Sequence, residues 1–272
     1  MKIDFFCPMW GSAHLSVRDF MLKVKSAGYD GVEFGFPVGS PLEGDLIKYS
    51  KELSLQLVAQ QWGAEGNTFS EYKADFQRHL EYLASLNPLF INSQTGKDYY
   101  SFDQNAELVE LAKTISLKTG IQVIHETHRG KFPFCVATTV KFVDAFPEIR
   151  FTADFSHFCA VSESFLDDQI ENLRKIIPHA DHIHARVGHT QGPQVSDPRL
   201  PEWETAVNHH LQWWDEIVEL QRSRGRKQLT ITPEFGPAPY MFSLPATGEP
   251  VVDQWEVNVY MMELLRKRYF SI

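Results

Sequence analysis

The sequence is poor in cysteine, and the cysteines it has are scattered. Of 272 residues three are cysteine, at Cys7, Cys135 and Cys159, and no two form a C-x-x-C pair. An odd number without paired spacing argues against a disulfide framework. We therefore expect a reducing compartment and a cytoplasmic location.

Long apolar runs and an excess of positive charge are also absent. No stretch approaches the roughly 18 apolar residues that span a bilayer, and the start, MKIDFFCPMWG, turns polar too soon for a secretory signal. The 26 Lys and Arg are outnumbered by 35 Asp and Glu, which gives a formal net charge of −9. Such a surface offers no electrostatic footprint for nucleic acid. These absences predict a soluble chain without membrane or nucleic-acid partners.

What the sequence does contain is eight alternations of a short apolar run with a longer amphipathic stretch. The apolar runs predict strands, at Ile3–Met9, Gly31–Gly35, Leu57–Gln61, Leu89–Gln94, Gln122–Thr127, Arg150–Phe155, His182–Val187 and Leu229–Phe235. The stretches between them predict helices, at Val17–Ala27, Asp45–Ser54, Ser70–Ser85, Asp103–Lys118, Val136–Ala145, Leu166–Ile177, Glu202–Arg224 and Gln254–Tyr269.

This alternation predicts a parallel sheet in an α/β fold, either an open doubly wound sheet or a closed barrel. The count of eight, and the lack of a glycine-rich dinucleotide turn after the first strand, favour the barrel. We therefore expect a (β/α)8 TIM barrel, with residues 1–272 as a single domain. The longest irregular stretches, Gly188–Leu200 and Gly236–Val252, follow the last two strands, where a barrel builds its site.

Four polar side chains lie near the carboxyl ends of the last four predicted strands. They are Glu126, Asp154, His184 and Glu234. One acidic residue at a strand end is usually a helix cap or a solvated loop residue. Four in succession converge at one mouth if the barrel closes, and three carboxylates with an imidazole suit one divalent ion such as Mn²⁺, Co²⁺, Mg²⁺ or Zn²⁺. His182, one layer deeper than His184, fits an interior hydrogen-bonding role as well as a ligand role.

A family resemblance rests on these residues. The segment GYDGVEF at Gly28–Phe34, then Glu126, a D-x-x-H from Asp154, an H-x-H ending at His184 and the final Glu234 resemble the xylose isomerase-like TIM-barrel superfamily of sugar and sugar-phosphate isomerases and epimerases. The resemblance covers essentially the whole chain. Its most specific part is the order of the four polar residues over the last four strands.

The resemblance also implies roles for individual residues. In the ketose 3-epimerases, to which the chain is similar, the matching Glu, Asp, His and Glu bind one metal ion. The metal ligands would then be Glu126, Asp154, His184 and Glu234. The two glutamates would also act as the acid–base pair, and His157 of the D-x-x-H would contact substrate.

The chain departs from these relatives on the substrate side. Their substrate-binding arginine, six residues after the metal histidine, corresponds to Thr190 here. Arg186 and Arg199 are the candidates to replace it. Three further residues are expected at the substrate: His128, which closely follows Glu126, and the aromatic residues Trp10 and Trp62 at strand ends, which would stack on a sugar face.

The expected reaction is proton transfer beside a sugar carbonyl through an enediolate, catalysed by an isomerase or epimerase on a small carbohydrate. The alternative is a metal-dependent lyase of the inosose dehydratase type. An apurinic-site endonuclease of this superfamily needs extra histidines where the chain has Gln60, Gln61, Asn92 and Gln94. A non-catalytic sugar-binding barrel would not require two glutamates beside a metal. The sugar, its phosphorylation and any homo-oligomer stay open.

Overall fold

The computed structural model describes residues 1–270 as a closed barrel of eight parallel strands, paired in chain order with β8 closing on β1. The strands are β1 Lys2–Pro8, β2 Gly31–Phe34, β3 Gln56–Gln61, β4 Ile91–Ser93, β5 Val123–Glu126, β6 Phe151–Ala153, β7 Ala180–His184 and β8 Gln228–Thr232. The prediction of a (β/α)8 TIM barrel in one domain is confirmed, while the domain's full extent, 1–272, stays a prediction.

Helices follow the strands and surround the barrel. They are α1 Val17–Ser26, α2 Glu43–Leu53, α3 Phe69–Ser85, α4 Phe102–Thr119, α5 Val136–Ala145, α6 Ser156–Ser162, α7 Ile170–Ile176, α8 Glu204–Ser223 and α9 Gln254–Phe270. Within residues 1–270, no helix combines the length and the apolarity needed to cross a bilayer.

Helix α3 shows how the local sequence sets an element and its packing. Thr68 accepts a hydrogen bond from the backbone N–H of Glu71, whose carboxylate accepts one in return from the backbone of Thr68. This capping box satisfies two amide donors that the first turn leaves free. The apolar stripe of Phe76, Leu80 and Leu83, three or four residues apart, is fully buried against the barrel.

A small apolar layer fills the middle of the barrel. Phe6, Val58, Phe90 and Ile124 form a buried cluster separate from the larger core between strands and helices. Gly31 faces Phe6 across the β1–β2 pair, and a Cβ atom on it would lie 2.4 Å from the Phe6 ring. The glycine therefore makes room for an aromatic ring inside the barrel, and this layer supports the polar residues above it.

Three predicted strands are wrong at their carboxyl ends. Strands β6, β7 and β8 stop at Ala153, His184 and Thr232, two or three residues before the predicted ends. After β6 the chain turns at once into a helix, because the Asp154 carboxylate accepts a hydrogen bond from the backbone N–H of Ser156 at 3.2 Å. Helix α6, which follows, was not predicted.

The predicted helix Leu166–Ile177 is also shorter, since Leu166 has a left-handed φ of 63° and the α-helix begins only at Ile170. Because β6, β7 and β8 end early, Asp154, Arg186 and Glu234 lie on loops just past the strand ends rather than on the strands.

Candidate functional site

The four residues singled out near the strand ends lie together at the mouth of the barrel. One ligand atom from each of Glu126, Asp154, His184 and Glu234 lies within 4.8 Å of every other, and all four residues are buried. Glu126 and His184 end β5 and β7, whereas Asp154 and Glu234 follow β6 and β8. Three carboxylates and an imidazole at this spacing are a ligand set that suits one divalent ion.

Glu33 orients the imidazole of His184. The Nε2 atom of His184 lies 3.0 and 3.1 Å from the two carboxylate oxygens of Glu33, which can only accept, so Nε2 carries the proton. Nδ1 faces the cluster, 2.8 Å from Oε2 of Glu234. A carboxylate that fixes the tautomer of a metal-binding histidine is a common feature of metal sites.

Side-chain amides hold the two glutamates. Nδ2 of Asn92 donates to Glu126 at 3.0 Å, and Nε2 of Gln94 lies 3.3 Å from the same carboxylate. Nε2 of Gln60 donates to Glu234 at 3.0 Å. Each of these hydrogen bonds occupies one lone pair of a carboxylate oxygen, and a carboxylate has about four. Both glutamates therefore keep lone pairs that can bind a cation or take a proton.

The electrostatics of the cluster are unbalanced. Burial raises the pKa of Glu126 to about 8, with help from the Glu234 and Asp154 carboxylates, and burial also raises the pKa of Asp154 despite the neighbouring Arg186. Burial alone would lower the pKa of His184, but Glu234, Glu33 and Glu126 raise it well above its ordinary value. A cation at the centre would relieve this repulsion, so the residues present fit a bound divalent ion.

Arg186 is the guanidinium of the cluster. It is 2% exposed and donates to Oδ2 of Asp154, and its Nη2 lies 2.7 Å from Nε2 of His157. Because that nitrogen of His157 accepts, the proton lies on Nδ1, which has no partner among the described residues. Arg186 borders the pocket, whereas His157 is fully buried behind it, with its ring 3.9 Å from that of His128.

A pocket of about 560 Å³ opens above the cluster. Glu126, Glu234, Arg186 and His128 line its floor and wall, and Trp10, Trp62 and Tyr240 contribute aromatic faces. Two glycines leave the space that the tryptophan rings occupy. A Cβ atom on Gly236 would lie 2.1 Å from the Trp10 ring, and one on Gly35 would lie 2.5 Å from Nε1 of Trp62. Of the residues expected at the substrate, His128, Arg186, Trp10 and Trp62 border the pocket, whereas His157 does not.

Several residues that complete the site were not predicted. Glu33 holds His184, Asn92 links Glu33 to Glu126, and Tyr240 packs on Arg186 with 4.8 Å between the ring centre and the guanidinium carbon. Glu33 carries a visible signal, since it is the acidic residue of GVEF at the end of a short apolar strand. Tyr240 carries none, because it lies in an irregular loop after β8.

Two further candidates, His182 and Arg199, bond other protein groups. His182, which the sequence left between two roles, has Nδ1 2.6 Å from Oγ1 of Thr230 and Nε2 3.2 Å from Glu33, so protein groups use both nitrogens. Arg199, the second candidate to replace the missing arginine, pairs with Asp197 at 2.8 Å. It is absent from the residues that line the pocket within the described part of the chain.

The loops after β7 and β8 join above the site. Nε2 of Gln194 donates to the backbone oxygen of Gly236 at 3.2 Å, and the backbone N–H of Gly236 donates to Oε1 of Gln194 at 2.8 Å. This reciprocal pair fixes Gly236, and with it the seat of Trp10. The expectation that these two long loops build the site agrees with this contact.

No protein-family profile matches the chain, and no curated protein matches it either. Solved structures do. A D-allulose 3-epimerase from Methylomonas sp. superposes with a TM-score of 0.64 at 11% identity, covering 98% of each chain. A probable 3-DHS dehydratase from Bacillus anthracis gives 0.61 at 16% identity, covering 98% of this chain and 100% of that one.

An AP endonuclease of family 2 from Brucella melitensis gives a TM-score of 0.57 at 15% identity, covering 86% of this chain and 93% of that one. Identities this low establish the fold and leave the activity open. The structural neighbours include sugar isomerases and epimerases, a dehydratase and an endonuclease. The resemblance read from the sequence is therefore confirmed at the level of the fold: the chain has the TIM-barrel fold that the xylose isomerase-like neighbours share.

Proposed function

We propose that the protein is a divalent-metal-dependent sugar isomerase or epimerase, which moves a proton beside the carbonyl of a small carbohydrate through an enediolate. One observation carries this proposal: Glu126, Asp154, His184 and Glu234 form one buried cluster, and two of its members, Glu126 and Glu234, line an aromatic-rimmed pocket. The fold neighbours that act on sugars support it.

The four residues of this set would hold the ion. When bound there, a divalent ion supplies a Lewis acid that polarises the substrate carbonyl and stabilises negative charge on its oxygen atoms. Mn²⁺, Co²⁺, Mg²⁺ and Zn²⁺ all accept this mixture of carboxylate and imidazole ligands.

Glu126 and Glu234 would move the proton. Both border the pocket, and each is held by side-chain amides that leave other carboxylate directions free. A carboxylate within hydrogen-bond reach of a substrate C–H or O–H acts as a general base, and its conjugate acid returns the proton. Two such groups on opposite faces of a planar enediolate give epimerisation, and one group on one face gives isomerisation.

The remaining residues of the pocket would bind and shield the sugar. Trp10 and Trp62 offer flat apolar faces to sugar C–H groups, and Arg186 and His128 offer polar contacts at the wall. Arg186 shares its donors with Asp154 and His157, so its contact with substrate would use the part of the guanidinium that borders the pocket.

The test is hydrogen exchange. The protein with added Mn²⁺ is incubated in D₂O with a panel of unphosphorylated and phosphorylated ketoses, and the products are examined by NMR and mass spectrometry. We expect deuterium at the carbon next to the carbonyl and a product of unchanged composition. If no sugar of the panel takes up deuterium and no new sugar forms, the proposal is contradicted.

A metal-dependent dehydratase is the second candidate, favoured by the probable 3-DHS dehydratase among the structural neighbours. It would use the same ligands and a similar enolate but release water. A product lighter by one water in the same mass spectra would favour it over the isomerase.

The endonuclease alternative has less support. The ends of β3 and β4 carry amides rather than histidines, and three of these amides, those of Gln60, Asn92 and Gln94, already bind the carboxylates of the site. Cleavage of DNA at an abasic site by the purified protein would revive this reading.

A further inference from the structure

A second cavity adjoins the pocket. A groove of about 990 Å³ lies between the loop after β2 and the start of α3, lined by Phe36, Gln61, Trp62, Asn67, His79 and Tyr99 among others. It shares Phe36, Gln60 and Trp62 with the pocket above the metal ligands. The pocket alone has the volume of a site for one small ligand, so the groove is additional space beside it.

Trp62 forms the boundary between the two cavities. Its side chain lines both cavities and is 53% exposed. Such exposure is unusual, because tryptophan side chains are mostly buried in folded proteins. Gly35 lets the indole lie against the backbone, as a Cβ atom there would lie 2.5 Å from Nε1. An exposed, positioned indole between two cavities can stack on a ring bound in either of them.

The groove has hydrogen-bonding groups that the protein does not use. Gln61 is 1% exposed; its Oε1 accepts from Ser93 at 3.1 Å, while its Nε2 has no partner among the described residues. His79 donates from Nδ1 to the backbone oxygen of Asp75 at 2.9 Å, which leaves Nε2 as an acceptor. A buried amide without a partner is rare in native proteins and marks a place where a ligand or water group completes the bonding.

Two acidic residues of the groove, in contrast, already have hydrogen-bond partners. Asp75 accepts from Arg78 at 3.0 Å and from the backbone N–H of Glu65 at 3.0 Å. Glu71 accepts from the backbone N–H groups of Asn67 and Thr68 in the cap of α3. The groove's three acidic and two basic side chains leave it no excess of positive charge for an anionic ligand. With a donor, an acceptor and an aromatic face on offer, it therefore suits a neutral polyhydroxylated ring.

We propose that the groove beyond Trp62 is a second subsite, which binds the distal ring of a two-ring carbohydrate while the reacting ring lies over the metal ligands. This inference rests on the proposed function and narrows its substrate class to disaccharides or glycosylated polyols. Trp62 then stacks on the distal ring, and Gln61 and His79 bond its hydroxyl groups.

The test compares ligands with one and two rings on the Mn²⁺-loaded protein. Maltose, cellobiose, lactose and sucrose are titrated beside glucose, galactose and fructose by calorimetry, with saturation-transfer NMR to identify the protons in contact. We expect at least one disaccharide to bind about tenfold more tightly than either of its halves, the gain that one aromatic stack with its hydrogen bonds provides. The NMR should show saturation on both rings.

Variants locate that gain. Trp62→Ala and His79→Phe should each lower the affinity ratio of the disaccharide to its halves by about threefold to tenfold. Phe270→Ala, which removes an aromatic side chain of similar exposure (54%) at the end of α9, should leave the ratio unchanged. His79→Phe keeps a ring of similar size, and circular dichroism checks that both variants fold.

The outcomes separate this inference from the function beneath it. If monosaccharides exchange deuterium but no disaccharide binds more tightly than its halves, the groove is no subsite and the isomerase proposal stands. The inference is equally overturned if the variants leave the ratio intact. If no carbohydrate of the panel binds or exchanges, both proposals fail together.

Discussion

The barrel buries carboxylates at both ends but balances them differently. At the amino end, Asp4 is fully buried, with Nζ of Lys2 2.6 Å from its Oδ1 and Nε2 of Gln228 donating to its Oδ2 at 2.6 Å. At the carboxyl end, four buried carboxylates surround His184 and the guanidinium of Arg186. The amino end neutralises itself and serves the fold. At the carboxyl end the carboxylates outnumber the positively charged side chains, so a bound cation would balance the remaining negative charge.

The largest effect should come from removing a basic carboxylate at the carboxyl end. Glu126→Gln and Glu234→Gln each keep the size of the side chain and an oxygen atom but lose the base. We expect each to lower the rate of deuterium exchange by about 100-fold or more, the scale of general acid–base catalysis. Exchange measured by NMR at saturating Mn²⁺ gives the rate, with Asp4→Asn as the matched carboxylate-to-amide control. Rates close to wild type in both glutamine variants would refute the acid–base roles.

Glu33→Gln tests the metal site at the carboxyl end while leaving all four proposed ligands unchanged. The variant replaces the acceptor that keeps the proton of His184 on Nε2, so the imidazole is less well oriented toward the cluster. Mn²⁺ affinity should fall by about 10- to 100-fold, as it does when a histidine ligand loses its carboxylate partner. Titration followed by calorimetry gives the affinity, and rescue by Glu33→Asp distinguishes orientation from a general loss of fold. Unchanged affinity in Glu33→Gln would show that His184 needs no such support.

Metal affinity should also depend on pH. In the metal-free protein, burial together with Glu234 and Asp154 raises the pKa of Glu126 to about 8. A metal ion needs this carboxylate ionised, and it needs Nδ1 of His184, whose pKa the surrounding glutamates raise, without a proton, so protons compete with the ion at both groups. Affinity should fall by about tenfold or more per unit as the pH drops from about 8 toward 6, with release of at least one proton on binding. Calorimetry in two buffers of different ionisation enthalpy measures the number of protons released, and a pH-independent affinity would contradict the expected charge state.

The smallest effects, on stability, should have opposite signs at the two ends. Because the pKa of Glu126 is raised on folding, its contribution to stability is greatest below its unfolded value of 4.5 and is lost as the pH rises toward about 8. At neutral pH without metal, Glu126→Gln should therefore raise the free energy of unfolding by about 1–3 kcal/mol. Asp4→Asn should lower it by about 1 kcal/mol, since Lys2 loses its partner. Chemical denaturation in EDTA measures both, and equal signs would remove the contrast between the ends.

Much of the fold was predictable from the sequence because its periodicity is strong. Apolar runs such as that of β1 and stripes such as Phe76, Leu80 and Leu83 carry their own signals. The strand ends were less predictable. Asp154 bonds the backbone of Ser156 and starts α6, and such a local competition between side chain and backbone leaves no periodic trace.

The residues of the candidate site also differ in how predictable they were from the sequence. Glu126, Asp154, His184 and Glu234 were found because each ends or closely follows a strand, and their shared position is visible along the chain. Their partners were harder to find. Asn92 bonds Glu33 and Glu126, which lie 59 and 34 residues away, and only closure of the barrel brings such residues together. Tyr240 reaches Arg186 from a loop, for which no pattern sets a direction.

The most direct test of the account is the metal content of the purified protein. Wild type and Asp4→Asn, prepared without chelator and loaded with Mn²⁺, should each retain about one ion per chain after desalting, as a single four-ligand site implies. Asp154→Asn and His184→Ala should retain almost none. Elemental analysis gives the count. Full metal content in both of these variants, or none in wild type, would contradict a metal centre at the carboxyl end of the barrel.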